Sequence, residues 1–474
     1  MRVSAALAIL AGLTLRILFV LKFPVTDSGD APFYIELAWN WLKNRVYGFT
    51  VHGVLTPVDM RTPGYPAFLA AIFALAGNSP RTVMLVQVVL DVVTCVGIAW
   101  IARRLALDAF RRRAGIAALW LAVLCPFTAN YTAVVLTEIL VTFLTTVAIL
   151  VLLQTEIGPG GGGIGRPGFW SNPWFLAGIL VGLGTLVRPE TPLILFAAGV
   201  VLLCKWFRPR DWGKLTRASV LMGVGLILPL LPWAARNWHT LHEVQFLAPR
   251  YSELPGEYTP HGFIDWTNTW LWRFRDVYLT HWKLNEEEIS PDDLPPYAYD
   301  SPEERARVSD LLDQYDDSLT IDPVLDNQFR AIARERTERH PVRTYLKVPS
   351  LRCFALWFTP RVELLPISGH LTPLSVEWED DRPDFLRAVA FAFGNCFYIG
   401  LALAGAWLAR GRPGLAFLIA FIVVRTVFFA YEVETVEPRY VLECFPAVIV
   451  LGAHAFAYRF EFSAATQLSS TGSG

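Results

Sequence analysis

The chain has 474 residues; 54% are hydrophobic, only 18% are charged, and the net charge is −1. So little charge in so long a chain excludes an ordinary soluble globular protein. The neutral balance and the lack of a long basic run give no sign of a nucleic-acid partner.

Residues 3–23 form the first apolar stretch. It is long for a signal-peptide core and lacks a clear A-x-A site before Pro24, so it is read as a retained helix. The segment Thr26-Asp27-Ser28-Gly29-Asp30-Ala31-Pro32-Phe33-Tyr34 follows. After it Phe33, Leu37 and Trp41 recur at helical spacing, with Glu36, Asn40, Lys43 and Asn44 on the other face. That pattern predicts a helix lying in the outer membrane interface. Asp30 falls at its start, where it suits an N-cap with Pro32 in the first turn. The same position holds a carboxylate at the membrane surface, available as a general base. Arg61-Thr62-Pro63-Gly64-Tyr65-Pro66 then predicts a rigid turn leading into a short apolar helix, 67–76. Arg61 at this depth suits a lipid head group or a substrate phosphate, because a guanidinium offers paired donors.

A hydrocarbon core of about 30 Å takes about 20 apolar residues of helix. Ten spans are expected, near 3–23, 81–102, 114–131, 136–153, 173–188, 190–206, 217–235, 385–409, 414–431 and 440–458. Thr137-Glu138 begins one of them, where an acid gains from the helix dipole. An ionisable residue at the edge of a span is also a site candidate. The glycine tract 158–165 reads as a flexible linker. Arg188-Pro189-Glu190 sits between the two shortest spans, which read as a tight pair, and an ion pair within that turn is its simplest role. Trp266, Trp270, Trp272, Phe274 and Tyr278 read as interface anchors rather than a sugar platform. Residues 303–314 and 328–339 read as solvated helices whose acids form a surface, not a metal cage. Glu434-Thr435-Val436-Glu437-Pro438-Arg439-Tyr440 puts two further acids and an arginine in the last outer loop. Six scattered cysteines show no metal or disulfide spacing.

Orientation follows from the basic loops. Arg103, Arg104, Arg111, Arg112 and Arg113, then Lys205, Arg208, Arg210, Lys214 and Arg217, then Arg410 and Arg412, all fall on one side of a ten-helix chain. The positive-inside rule makes that side cytoplasmic, with the amino terminus. Residues 24–80, 236–384 and 432–439 then face outward from a multi-pass plasma (inner) membrane protein. The expected organisation is a transmembrane module 1–235, an extracytoplasmic segment 236–384, terminal helices 385–460 and a disordered tail 461–474.

The ordered landmarks resemble the GT-C class of membrane glycosyltransferases, in particular the protein O-mannosyltransferase and lipid A aminoarabinose transferase group. They are Asp30 with Tyr34, Arg61-Thr62-Pro63-Gly64-Tyr65-Pro66, Thr137-Glu138, Arg188-Pro189-Glu190, Pro232-Trp233 with Arg236-Asn237, and Glu437-Pro438-Arg439-Tyr440. The resemblance implies an all-α GT-C-like bundle. It implies transfer of a sugar from a polyprenyl phosphate to an acceptor hydroxyl at the outer face, with inversion. The acceptor would be a protein, a lipid or a polysaccharide. By position, Asp30 and Glu138 would be the catalytic acids. Arg61, Tyr34, Tyr65, Arg188, Arg236 and Arg439 would bind substrate or lipid phosphate. Arg61 stands where the aminoarabinose transferases have a lysine, which keeps the charge and changes its geometry. No cofactor is required by this scheme; a divalent ion near Asp27 and Asp30 is the alternative to arginines as the neutraliser of phosphate. The competing readings are a lipid or solute transporter (flippase) and a membrane scaffold. Against transport, the charges cluster at helix ends on one face and no matching halves appear.

Overall fold

The structure is a computed structural model that describes residues 2–26, 29–159, 168–207, 211–251, 258–369, 371, 378–379, 381–432 and 434–471. Most of the glycine tract and Asp27 therefore lie outside the described residues. Among the described residues the regular structure is helical apart from a two-stranded hairpin, Gly48–Val51 with Val54–Pro57, and one isolated bridge between Val25 and Val134. The sequence reading did not anticipate this hairpin. Its turn, His52-Gly53, has positive φ at both positions (49° and 80°), as a tight right-twisted connection requires.

All ten expected spans appear as apolar helices, but their lengths differ. Among the described residues, Val3–Lys22, Pro80–Leu105, Trp212–Leu241, Arg382–Leu408 and Pro438–Tyr458 are long and apolar enough to cross a membrane. Arg111–Val123 and Pro126–Ala133 make a sixth if they count as one span bent by 51°. The other four, Glu138–Leu152, Pro173–Thr185, Leu193–Phe207 and Leu415–Tyr431, have 13 to 17 residues. At about 1.5 Å per residue they rise about 20–26 Å, less than the hydrocarbon thickness. Pro173–Thr185 does not pair mainly with the next helix, as expected, but packs on Trp212–Ile227 and Glu138–Leu152. Small residues allow it: a Cβ on Gly178 would lie 2.4 Å from the Met222 carbonyl oxygen, and one on Gly225 equally close to that of Phe175.

The bend has a local cause. Pro126 has no N–H to offer the helix before it, so the last carbonyls of Arg111–Val123 lose their usual partners. Arg16, fully buried in the first helix, supplies replacements: its guanidinium donates to Val123 O (2.8 Å) and Ala122 O (3.4 Å). Tyr398 Oη donates to Leu121 O (2.7 Å). Asp91 balances Arg16 at 2.5 Å. Gly12 makes this approach possible, since a Cβ there would lie 2.8 Å from Val123 Cβ.

The chain divides into two compact units. The first holds Met1–Arg250, Pro360–Val424 and Leu442–Gly474; the second holds Tyr251–Thr359 and Arg425–Val441. The expected segment 236–384 is thus shared between the units. The last helix runs Phe445–Thr471, so residues 461–471, expected to be disordered, continue it.

The second unit has its own core, and here two expectations are corrected. Trp266 and Trp270 are not interface anchors: they are 0% and 2% exposed and pack with Phe263 and Phe329. Nor are the acids of this region simply solvated. Helices Pro302–Asp316 and Pro323–Arg339 exist as expected, but bury one face. Glu304 and Arg336 form a buried ion pair, extended by Asp300 (3.3 Å from Arg336) and Arg339 (3.2 Å from Glu304). Asp326 accepts the Gly262 and Phe263 amides (2.6 and 3.0 Å), closing the start of helix His261–Asn268. Local composition does not distinguish a solvated acid from one whose arginine arrives from a distant helix.

His281, beside Thr267 Oγ1 at 3.0 Å, is held mainly by burial, and secondarily by Arg352, at a pKa of about 4. The unfolded chain, with a histidine pKa of about 6.5, takes the proton first on acidification. Stability of this unit should therefore fall as pH drops from about 6.5 towards 4, and be unaffected by His281 above that window. Because the ring keeps a partly exposed edge, the loss is about 2 kcal/mol rather than the full shift. Tryptophan-fluorescence melting should show it, and His281→Gln should flatten the profile.

Candidate functional site

The first unit brings together most of the polar landmarks. Its framework is backbone contact between segments distant in sequence. Val25 N donates to Ala133 O (2.9 Å), tying the first outer segment to the approach to Glu138. Gly64 N donates to Leu186 O (2.6 Å), and Thr62 Oγ1 reaches Val187 O (3.5 Å). The proline-bounded turn thus lies on the turn that carries Arg188. Only glycine fits this contact, because a Cβ on Gly64 would be 2.5 Å from the Leu186 oxygen. Tyr47 Oη donates to the carbonyls of Arg61 and Thr62 (2.8 and 3.3 Å), holding the turn from the other side.

Two charged groups result. In the first, Arg61 Nη2 donates to Asp30 Oδ1 at 2.9 Å, with both side chains about one quarter exposed. Asp30 stands at the N-cap position of helix Ala31–Asn44 with Pro32 following, but its side chain makes no capping hydrogen bond. The expected cap is therefore positional only, and the carboxylate turns to Arg61. In the second group, Arg188 Nη1 donates to Glu138 Oε1 (3.0 Å) and its Nε to Glu190 Oε1 (2.6 Å). Glu443 Oε1 lies 3.9 Å from the same Nε, and its other oxygen accepts from Thr145 (3.2 Å). Glu138 and Glu443 are each 2% exposed. The expected pairing of Arg188 with Glu190 is present, but the guanidinium also gathers two buried acids from other helices.

Tyr34 and Tyr65 stand between the groups, their rings edge to face at 5.2 Å. Burial first, then Asp30, pushes the Tyr34 hydroxyl well up; Arg61 and Arg188 oppose this and Glu138 adds to it. One phenol thus feels both groups, and it stays a proton donor at neutral pH. Tyr65 Oη donates to Gln87 Oε1 (2.8 Å), and Gln87 Nε2 donates to Val134 O (2.7 Å).

Arg236 donates to the backbone carbonyls of Tyr47 (2.7 Å) and Val58 (2.8 Å), bracing the hairpin, with Tyr47 and Trp233 against its guanidinium. Arg439 belongs to the second unit and pairs with Glu437 at 2.6 Å. In the same loop Tyr440 Oη donates to Glu437 (3.0 Å). Among the described residues no group of three or more His, Cys, Asp or Glu side chains is placed to hold a metal ion.

Sequence reasoning missed Glu443 and Gln87. The signal for Glu443 was an acid inside an otherwise apolar terminal span, four residues after Arg439. Gln87 gave the same kind of signal within the span 81–102.

Comparison with known proteins agrees with this architecture. Residues 60–233 match the family described as dolichyl-phosphate-mannose-protein mannosyltransferase, a stretch that holds Arg61, Tyr65, Glu138, Arg188 and Glu190. No curated protein sequence matches. Among solved structures, the oligosaccharyltransferase of Archaeoglobus fulgidus, tethered with an acceptor peptide containing the NVT sequon, is similar with 14% identity and a TM-score of 0.50. The match covers 96% of this chain and 48% of that one, so the chain spans about half the length of that relative. ArnT from Cupriavidus metallidurans, bound to undecaprenyl phosphate, matches with 13% identity and a TM-score of 0.41, over 96% of this chain and 77% of its own. The all-helical GT-C membrane fold expected from the sequence is borne out, and so is the resemblance to GT-C glycosyltransferases.

Proposed function

We propose that the chain is a membrane glycosyltransferase that moves a sugar from a polyprenyl phosphate to an acceptor hydroxyl at the outer membrane surface. The observation that carries this reading is the assembly of Asp30 with Arg61, and of Glu138, Glu190 and Glu443 with Arg188, around Tyr34. The family match over 60–233 supports the lipid-phosphate donor.

The chemistry follows from the groups present. The acceptor oxygen attacks the anomeric carbon while the bond from that carbon to the phosphate oxygen breaks, and the configuration inverts. The hydroxyl proton passes to the Asp30 carboxylate. The bonding electrons leave with the phosphate, which regains a full negative charge. Arg61 is placed to meet it, since a guanidinium pairs two donors with phosphate oxygens. In the structure Arg61 occupies an Asp30 oxygen. When the donor phosphate draws Arg61 away, that oxygen becomes available to the acceptor proton. Arg188, fixed by its acids, supplies a stationary positive charge, and Tyr34 a hydrogen-bond donor. Preorganised charges in a water-poor site are the largest usual source of such catalysis.

Purified protein in proteoliposomes, given a polyprenyl-phosphate-linked sugar and an acceptor mixture, should release free polyprenyl phosphate and form a new glycosidic bond. Arg61→Gln should slow transfer by about 10²-fold, the effect of removing one charge-stabilising donor. Movement of the intact donor lipid between leaflets, with no new glycosidic bond, would point to the flippase reading instead.

A further inference from the structure

A second feature of the first unit lies at the opposite, arginine- and lysine-rich ends of its helices. A groove of about 630 Å³ runs between the lead-in to helix Pro173–Thr185 and the first turns of helix Trp212–Ile227. Phe169, Asn172, Gly213, Thr216, Arg217, Val220 and Leu221 line it. On the second helix these residues recur at three- and four-residue spacing and so share one face. Their order along the helix is chemical as well. Gly213, Thr216 and Arg217 come in the first turns; Val220 and Leu221 come one turn deeper. Phe169 and Val220 are 49% and 56% exposed, which suits contact with hydrocarbon.

Arg217 is exposed, and among the described residues it has no ion pair or hydrogen-bond partner. Lys214 beside it is held by Asp211 at 2.5 Å. No lining residue is acidic, so nothing in the groove complements the ammonium of a zwitterionic head group. A Cβ on Gly213 would meet nothing within 4 Å, leaving the floor of the head-group end open.

We propose that this groove binds an anionic phospholipid of the cytoplasmic leaflet. The phosphate sits at Arg217 and the Thr216 hydroxyl, and the first part of an acyl chain lies along Val220, Leu221 and Phe169. Basic pockets between transmembrane helices on the cytoplasmic side recognise anionic head groups in this way. A free phosphate would use the arginine but leave the apolar half of the groove without an occupant.

The test uses the full chain, in detergent, with phosphatidylglycerol, phosphatidylcholine or inorganic phosphate added, and native mass spectrometry together with thermal unfolding as readouts. Wild-type protein should retain phosphatidylglycerol in preference to phosphatidylcholine, and inorganic phosphate should not stabilise it. Arg217→Gln should lose about fivefold of that preference, the effect of one surface cation near a lipid phosphate. Gly213→Leu keeps every charge but fills the groove, and should lose retention as well. Both variants alter exposed positions, so their unfolding temperatures in phosphatidylcholine report folding independently. Equal retention of the two lipids, an unchanged preference in either variant, or equal stabilisation by inorganic phosphate would overturn the assignment.

Discussion

Asp30→Asn should lower the rate of sugar transfer by about 10²–10⁴-fold, the range expected when a positioned proton acceptor is removed. The amide keeps the size and shape of the carboxylate. It can still meet Arg61 through its oxygen, but it cannot take the hydroxyl proton. Because both partners are about one quarter exposed, the lost ion pair costs little stability, within about 1 kcal/mol. The variant should therefore insert, melt and bind the donor lipid much as the wild type does while failing in transfer. Product formation measured by mass spectrometry at saturating donor separates these effects. Asp30→Asn with wild-type turnover would remove Asp30 from the reaction and leave Glu138 as the candidate acid.

Arg16→Leu should have the largest effect on stability. It leaves Asp91, 3% exposed, as an uncompensated charge within the bundle. It also removes the donor to the Val123 carbonyl at the bent span. Breaking one side of a buried ion pair costs about 3–5 kcal/mol. Arg16→Leu with Asp91→Leu removes both charges and should recover a good part of that loss, leaving mainly the Val123 carbonyl without its donor. Urea or heat unfolding of the purified protein in one detergent would check this. If the single variant unfolds as the wild type does, Arg16 is not what holds the bend.

How much of this was legible beforehand depends on the range of the interaction. The helix Ala31–Asn44, the apolar helix after Pro63 and the ten apolar segments follow from periodicity and proline placement, which act within a turn or two. The candidates Asp30, Arg61, Glu138 and Arg188 were legible as charges at helix ends on one face. Their partners were not. Asp30 reads locally as a cap, and only the arrival of Arg61 from 31 residues away turns its carboxylate elsewhere. Arg236 reads as a bare charge beyond a span, and sequence does not show that the Tyr47 and Val58 carbonyls reach it. Trp266 and Trp270 read as anchors because sequence does not show that helix Pro323–Arg339 returns to cover them. Span lengths were also read too generously, since local hydropathy does not reveal that Arg111–Val123 breaks at Pro126 or that Glu138–Leu152 stops short.

We propose that Arg61 and Arg188 flank one seat for a lipid-linked phosphate beside Asp30. A structure of the protein with polyprenyl phosphate bound tests it most directly. A phosphate oxygen should lie within about 3 Å of the Arg61 guanidinium, with Asp30 released from that arginine. A phosphate bound at another face, with the Asp30–Arg61 pair left intact, would contradict it.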